Sequence, residues 1–212
     1  MRAMFSKILM ATHNRGKATE LKNLLEELPI RILTLEDYPD KPIVEEKGTS
    51  FLENALQKAK EAVEFSGLIS LADDSGLEVD ALGGQPGVYS ARFAGEPCDY
   101  QKNNLKLLRF LQGIPLPQRT ARFVSVIALI TPEGQVYTAE GRCEGVILEE
   151  LRGTGGFGYD PLFYLPSWGK TMAELTLEEK NMVSHRCKAL RKIAPLLQRI
   201  GKRRDGSSAG RL

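Results

Sequence analysis

The sequence contains few of the residues that bind transition metals or form disulfides. Its 212 residues include three cysteines and two histidines, and Cys98, Cys143 and Cys187 lie far apart without a CxxC pair. A structural zinc site needs closely spaced cysteine and histidine ligands, and a disulfide framework needs an even set of cysteines. We therefore expect a reduced, cytoplasmic protein that has neither feature.

The chain also lacks a strong charge of one sign and long apolar segments. Lys and Arg number 29 against 27 Asp and Glu, so the formal net charge is only +2. A nearly neutral chain exerts no overall attraction on nucleic acid or on a membrane surface. The apolar run within MRAMFSKILMATHNRGK is too short and interrupted for a signal peptide, and no other run reaches membrane-spanning length. We expect a soluble protein that binds neither nucleic acid nor membrane.

The order of the local patterns indicates the fold class. Strand patterns at residues 7–12 and 31–35 flank a helix pattern at 17–28, and the second half is dominated by a long hairpin that turns at residues 132–134. Alternating strands and helices followed by a hairpin predict an α/β fold with a mixed sheet. No linker separates independent units, so residues 1–200 are predicted to form one domain.

Several helix ends can be read directly from the residues. Ser50 and Glu53 match a capping box for the second helix, and Gly67 is placed to close it. Ser184 can cap a final basic helix. Residues 201–212 have no apolar pattern, so we expect a disordered tail.

Two adjacent aspartates interrupt an apolar run. Asp73 and Asp74 follow directly after residues 68–72, and adjoining like charges repel each other unless a cation lies nearby. If the strand ends there, both acids lie at the edge where open α/β sheets bind ligands. Together with Glu45 and Glu46 they would form an all-oxygen site suited to Mg²⁺. An Asp-Ser-Gly turn is the alternative, but a turn needs only one of the acids.

The segment THNRGK, residues 12–17, is a candidate anion site. Backbone amides at a helix start and the ammonium of Lys17 could together hold a phosphate. The segment is not a Walker motif, which has a different glycine spacing. The alternative is that Thr12 and Asn14 only cap the helix while Lys17 is a solvated surface residue.

Two glycine-rich segments are candidate ligand loops. Residues 78–96 predict a long irregular stretch, which in compact domains is usually functional. In GTGGFGYDP, Phe157 and Tyr159 offer flat faces on which a base could stack. The alternative is a tight turn with both rings in the core.

The segment EEKNMVSHRCKAL places two donors at a helix start. His185 and Arg186 lie in the first turn after Ser184, where the helix dipole favours acids rather than bases. A negatively polarised partner would explain them, although His185 could equally pack against the helix. A phosphate holder, acids for magnesium, an aromatic face and a donor pair together indicate a nucleoside triphosphate.

Five ordered motifs carry a resemblance to a known family. They are ATHNRGK, FLENALQKA, LADDSGLEVDALGGQPGVYSARFAG, TGGFGYDPLF and EEKNMVSHRCKAL, and they extend to about Gln198. They resemble the motifs of the inosine triphosphate pyrophosphatase, or Ham1-like, family of house-cleaning enzymes. The resemblance implies an elongated mixed β-sheet flanked by helices, with two lobes and a central cleft. It also implies Mg²⁺-dependent hydrolysis of ITP, dITP and XTP to the monophosphate and pyrophosphate by a homodimer.

The resemblance also implies roles for individual residues. Asp74 would activate water and contact the metal, with Glu45 and Asp73 as further metal ligands. His13 stands where many relatives have glycine. The implied substrate-binding residues are Thr12, His13, Asn14, Arg15, Gly16 and Lys17 for the triphosphate, Ser75, and Phe157, Gly158, Tyr159, Asp160, Lys180, His185 and Arg186 for the base and sugar.

The sequence leaves two other functions open. A Maf-like pyrophosphatase would have a similar fold and reaction but would act on pyrimidine or modified nucleotides. A catalytically silent nucleotide- or RNA-binding module would suit the basic C-terminal helix, although the acidic residues would repel a phosphate backbone in the absence of a metal.

Overall fold

The computed structural model describes residues 6–41 and 46–203. The strands are β1 (Ser6–Met10), β2 (Ile30–Thr34), β3 (Ile69–Val79), β4 (Thr120–Ile130), β5 (Val136–Ile147), β6 (Phe163–Leu165) and β7 (Lys170–Thr171). The helices are α1 (Arg15–Leu25), α2 (Phe51–Ser66), α3 (Tyr100–Phe110), α4 (Leu177–Val183) and α5 (His185–Arg203). None of the helices described is long and apolar enough to cross a membrane.

The seven strands form one sheet in the order β2-β1-β3-β4-β5-β6-β7. β1 pairs in parallel with both β2 and β3, whereas β6 pairs antiparallel with both β5 and β7. Parallel neighbours need crossover connections, and α1 and α2 supply them on the way to β2 and β3. The predicted α/β class with a mixed sheet is confirmed.

The predicted helix ends are largely confirmed. Ser50 caps α2 by accepting the backbone N–H of Glu53 at 3.2 Å, and Gly67 closes it in the left-handed conformation at φ 65°. The carboxylate of Glu53 binds the backbone N–H and the hydroxyl of Thr49, one residue before the expected partner. The final helix α5 extends to Arg203. Residues 204–212 of the predicted tail lie outside the described residues.

Strand β3 corrects one expectation. The acids were expected at the end of a strand, whereas β3 runs through Asp73 and Asp74 to Val79. Its parallel pairing with β1 does stop just before the acids, with Met10 opposite Leu71 as the last pair in register. The chain stays extended beyond that point because β3 is also a neighbour of β4 and Val79 is completely buried. The alternative of an Asp-Ser-Gly turn is therefore wrong.

The stretch predicted as irregular, residues 78–96, has more local structure than expected. After β3 ends, two short 3-10 helices follow at Asp80–Leu82 and Gly87–Arg92. The hydroxyl of Ser90 ties the second one down, since it donates to Gly87 O and accepts the backbone N–H of Leu77. These two hydrogen bonds join the loop to itself and to β3, so no periodic pattern in the sequence predicts them.

The described residues divide into two compact units. The first comprises residues 6–41, 46–73, 126–139 and 189–203, and the second comprises Asp74–Ser125 and Glu140–Lys188. Each unit has an apolar core of its own. The core of the first unit includes Ile8, Leu21, Leu71, Ile127 and Leu190, and that of the second includes Leu77, Leu107, Phe123, Tyr159 and Phe163. A single domain and a central cleft stay predictions.

Candidate active site

The loop between β1 and α1 has the structure of a helix cap. Asn14 is the N-cap residue, and its side-chain oxygen accepts the backbone N–H of Lys17 at 3.1 Å. The hydroxyl of Thr12 in turn accepts the backbone N–H of Asn14 at 3.2 Å. Thr12 and Asn14 therefore shape the start of α1, as the alternative interpretation of this segment expected.

Lys17, by contrast, is not a solvated surface residue as the alternative interpretation expected. Its ammonium lies 3.1 Å from Oδ2 of Asp73, and the lysine side chain is only 14% exposed. An ammonium at this distance offsets the cost of burying the Asp73 carboxylate, which is 1% exposed. Within the first unit, Lys17 is therefore a cation placed directly beside Asp73.

The other predicted residues of this loop lie nearer to solvent. His13 and Arg15 are exposed and Gly16 is half-buried. The pKa of Glu36 lies below its usual value, chiefly because Lys41 hydrogen-bonds to its carboxylate and to a lesser degree because Arg15 and His13 add positive charge nearby. The loop therefore presents positive charge at the surface of the first unit.

Lys58 is a site residue that sequence reasoning missed. It is 8% exposed on α2, and its ammonium lies 2.6 Å from Oε1 of Glu46 and 2.9 Å from the backbone oxygen of Asp73. Lys58 follows Asn54 by four residues on the buried side of α2. A lysine within the apolar stripe of a helix is the signal that could have identified it, because a lysine is rarely buried unless it is paired.

The segment next to Glu46 is fixed to the same helix. The backbone N–H of Gly48 donates to Oδ1 of Asn54 at 2.8 Å, and Asn54 is completely buried. A Cβ on Gly48 would come within 2.6 Å of that oxygen, so a larger residue does not fit there. Glu45, the acid predicted as a metal ligand, lies outside the described residues.

In the second unit, β3 contributes Asp74 and Ser75. Asp74 is 4% exposed within the strand. The hydroxyl of Ser75 accepts a hydrogen bond from the guanidinium of Arg186 at 3.0 Å. Arg186, itself 1% exposed, is therefore held by β3 from the first turn of α5.

The turn at residues 156–160 is built around the carboxylate of Asp160. Its Oδ2 lies 2.6 Å from Nζ of Lys180 and accepts the backbone N–H of Phe157 at 2.9 Å. Gly156 lies so close that a Cβ there would be 2.0 Å from the same oxygen. The buried ion pair and the glycine together fix the conformation of this turn.

Only one of the two aromatic residues in the turn is partly exposed. Phe157 is half-buried, with the ammonium of Lys180 5.0 Å and the guanidinium carbon of Arg186 5.8 Å from its ring centroid. Tyr159 is 4% exposed in the core, and its hydroxyl donates to the backbone oxygen of Ser90 at 2.8 Å. Burial raises the pKa of Tyr159 well above its usual value. Phe157 is thus the ring that could stack on a base.

His185 and Arg186 lie in the first turn of α5, as the sequence predicted. The hydroxyl of Ser184 accepts the backbone N–H of Cys187 at 3.2 Å, as predicted for a cap. His185 is 6% exposed and stacks on the ring of Phe123 with centroids 4.9 Å apart. The imidazole is therefore held by packing in the second unit, while Arg186 lies near Phe157.

The carboxylates suit a hard metal ion that also binds the substrate. Within residues 6–41 and 46–203, no three or more His, Cys, Asp and Glu side chains are grouped so that they could hold a metal. Mg²⁺ is commonly held by one or two carboxylates, with substrate phosphates and water completing its coordination. The carboxylate of Asp74, which lies within β3, fits that pattern.

Comparisons with known proteins identify the family of the chain. The model of the Ham1 family matches residues 8–196, so the chain belongs to the Ham1 family. A curated protein named dITP/XTP pyrophosphatase, from Desulforamulus reducens, is 56% identical over 194 residues, which are 92% of this chain and 96% of that protein. A protein of the same name from Geobacter sulfurreducens is 55% identical, covering 87% of this chain and 93% of its own length.

Solved structures give the same family. The Ham1 protein of Staphylococcus aureus aligns with a TM-score of 0.82 at 37% identity, covering 92% of this chain and all of that one. A structure described as nucleoside-triphosphatase / dITP/XTP pyrophosphatase from Mycobacterium abscessus aligns with a TM-score of 0.72 at 48% identity, covering 90% of this chain and 98% of its own. The mixed sheet described above is therefore a Ham1 fold.

Proposed function

We propose that the protein is a nucleoside triphosphate pyrophosphatase that hydrolyses ITP, dITP and XTP to the monophosphate and pyrophosphate. The observation that carries the proposal is the 56% identity to a protein named dITP/XTP pyrophosphatase across 92% of this chain. The turn at residues 156–160 adds independent support, because Phe157 lies beside the cations of Lys180 and Arg186. An aromatic face with adjacent donors is suited to a nucleobase.

In the proposed reaction, water attacks the α-phosphorus. The bond from that phosphorus to the bridging oxygen breaks, and pyrophosphate leaves. Asp74 is the proposed general base, which orients the attacking water and accepts its proton. Phosphoryl-type transfer depends mainly on positioning and on charge stabilisation, and the proposal is supported by the burial of Asp74, which is 4% exposed on β3.

Mg²⁺ is the proposed cofactor, held by Asp74, Glu45 and Asp73. When bound, it would neutralise the charge that develops on the phosphate oxygens and on the leaving pyrophosphate. Lys17 already provides a cation for Asp73 at 3.1 Å. Asp73 would therefore hold Lys17 in place as well as contribute to the metal site, and Asp74 is the proposed ligand that also activates water.

The triphosphate is proposed to bind at residues 12–17. The positive end of α1 and the ammonium of Lys17 favour an anion there. Thr12 and Asn14 form the cap, so their contribution is to fix the loop, while the exposed Arg15 adds charge.

Base selectivity is proposed to depend on donors at the start of α5. Hypoxanthine and xanthine carry an oxygen at C6 that can accept from Arg186 or His185, whereas adenine has an amino group there and would leave buried donors unpaired. Arg186→Ala should reduce the ITP to ATP ratio of kcat/KM by roughly 10- to 100-fold, the range for one hydrogen bond to a charged group. An unchanged ratio in steady-state assays would place base recognition elsewhere.

The assembly and the compartment are also proposed. We propose a homodimer, which analytical ultracentrifugation would detect as a species of twice the chain mass. We propose a cytoplasmic location, in keeping with the three cysteines, which are all free thiols.

The substrate profile tests the proposed function. We expect ITP, dITP and XTP to be hydrolysed in the presence of Mg²⁺ more efficiently than ATP or dTTP, with pyrophosphate as the product. Comparable or faster hydrolysis of dTTP would contradict the proposal in favour of a Maf-like activity. Absence of hydrolysis for every nucleotide would favour a binding module.

The role of Asp74 has its own test. Asp74→Asn keeps the shape and hydrogen-bonding capacity of the side chain but removes its basicity, so pyrophosphate release should fall by at least 10². Circular dichroism should show an unchanged fold. Near-normal turnover in this variant would refute Asp74 as the base.

A further inference from the structure

Two neighbouring asparagines on α3 are buried but satisfied to different degrees. Asn103 is 1% and Asn104 is 5% exposed. Asn103 is paired at both ends of its amide, since its oxygen accepts the backbone N–H of Ala94 at 2.7 Å and its nitrogen donates to the backbone oxygen of Ala91 at 3.0 Å. The nitrogen of Asn104 donates to the backbone oxygen of Gly158 at 2.9 Å. Its oxygen, Oδ1, has no hydrogen-bond partner among the described residues.

The unpaired oxygen makes Asn104 a costly choice for stability. A buried acceptor without a partner loses its hydration and gains nothing in exchange. An apolar residue of similar volume, such as leucine, would avoid that loss. The contact that remains to explain Asn104 is therefore the bond to Gly158.

Gly158 belongs to the turn at residues 156–160. It has a positive φ of 64°, and it directly follows Phe157, whose ring lies beside Lys180 and Arg186. The peptide between Gly158 and Tyr159 carries the oxygen that Asn104 holds. A rotation of that peptide would alter the turn that carries Phe157.

Helix α3 contacts this turn at a second point. Tyr100 lies four residues before Asn104, so both are on the same face of the helix. The ring centroids of Tyr100 and Phe157 are 6.2 Å apart at 41°. One face of α3 thus supports both the ring and the backbone of the turn.

We propose that Asn104 is a positioning residue for base recognition. It fixes the Gly158 carbonyl, and with it the Phe157 ring, in the conformation that receives the base. This inference rests on the proposed function, in which Phe157 contacts the purine. Asn104 does not touch the reacting phosphate, so its loss should affect KM more than kcat.

The test compares Asn104→Leu with Asn103→Leu as the matched control. For Asn104→Leu we expect KM for ITP to rise about 3- to 10-fold, as for one lost neutral hydrogen bond. We expect its kcat to stay within about 2-fold and its Tm to be equal to or above that of the wild type, because the unpaired oxygen is gone. For Asn103→Leu we expect a lower Tm, because both ends of its amide are paired, with an unchanged KM for ITP.

Each other outcome contradicts the proposal. An unchanged KM for ITP in Asn104→Leu overturns it. An insoluble Asn104→Leu variant, or one whose Tm falls as far as that of the control, also overturns it, because either result indicates a structural role. The wild type is assayed first. If it fails to hydrolyse ITP, the proposed function is wrong and the inference falls with it, whereas normal wild-type turnover with an unchanged KM in Asn104→Leu refutes only the role of Asn104.

Discussion

Replacement of Lys180 by methionine should destabilise the protein far more than the same change at Lys170. Both lysines form short ion pairs in the second unit, Lys180 with Asp160 at 2.6 Å and Lys170 with Glu179 at 2.7 Å. The side chains of the first pair are 7% and 6% exposed, whereas those of the second are 40% and 24% exposed. The two pairs therefore differ mainly in burial.

Burial determines the expected magnitudes. Removing one partner of a buried pair leaves an uncompensated charge and costs about 3–5 kcal/mol, whereas an exposed pair contributes roughly 0.2–1 kcal/mol. For a chain of this size, 1 kcal/mol corresponds to about 2–4 °C in Tm. Lys180→Met should therefore lower Tm by about 6–20 °C, and Lys170→Met by at most about 4 °C.

The assay is thermal and urea denaturation at pH 7 with an additional double variant. Adding Asp160→Asn to Lys180→Met should recover part of the lost stability, because it removes the charge while the amide oxygen can still accept the N–H of Phe157. Equal losses for the Lys180 and Lys170 variants would refute the argument from burial. A double variant no more stable than Lys180→Met would do the same.

Three further predictions concern the turn and the thiols. Gly156→Ala should abolish ITP turnover or folding, because the new Cβ would lie 2.0 Å from Oδ2 of Asp160. Gly169 also has a positive φ but has open space around it, so Gly169→Ala should lower the free energy of unfolding, measured by urea denaturation, by only about 1–2 kcal/mol. Similar losses in the two variants would contradict this prediction. Of the three cysteines only Cys98 is exposed, and burial raises the pKa of Cys143 to about 11. The native protein should therefore react with one equivalent of a thiol reagent at pH 8, and the unfolded protein should react with three. Because the unfolded chain releases the Cys143 proton at lower pH than the folded protein does, the free energy of unfolding should fall as the pH rises from about 9 to 11. The same flat dependence on pH in the wild type and in Cys143→Ala would contradict this prediction.

The sequence predicts elements whose signals are local. The cap at Ser50, the close of α2 at Gly67 and the cap at Ser184 each depend on residues within one turn of the helix end, and all three are observed. The hairpin of β4 and β5 was equally predictable, because the turn at residues 132–134 lies between two long segments with strand patterns.

Features that depend on distant residues were not predictable in the same way. The continuation of β3 through the acids was not predictable from local residues. The ammonium that lies beside the buried Asp73 belongs to Lys17, which is 56 positions earlier in the chain. The bonds of Lys58 to Glu46 and of Asn104 to Gly158 likewise join segments that are remote in sequence. Local patterns show that such polar residues are present but cannot show which partner makes their burial tolerable.

The most direct test of the account follows the oxygen of the attacking water. ITP is hydrolysed in ¹⁸O-labelled water with Mg²⁺, and the products are analysed by mass spectrometry. If water attacks the α-phosphorus, we expect inosine monophosphate with one ¹⁸O on its phosphate and unlabelled pyrophosphate. Label in the pyrophosphate, or formation of the diphosphate and inorganic phosphate, would contradict attack at the α-phosphorus.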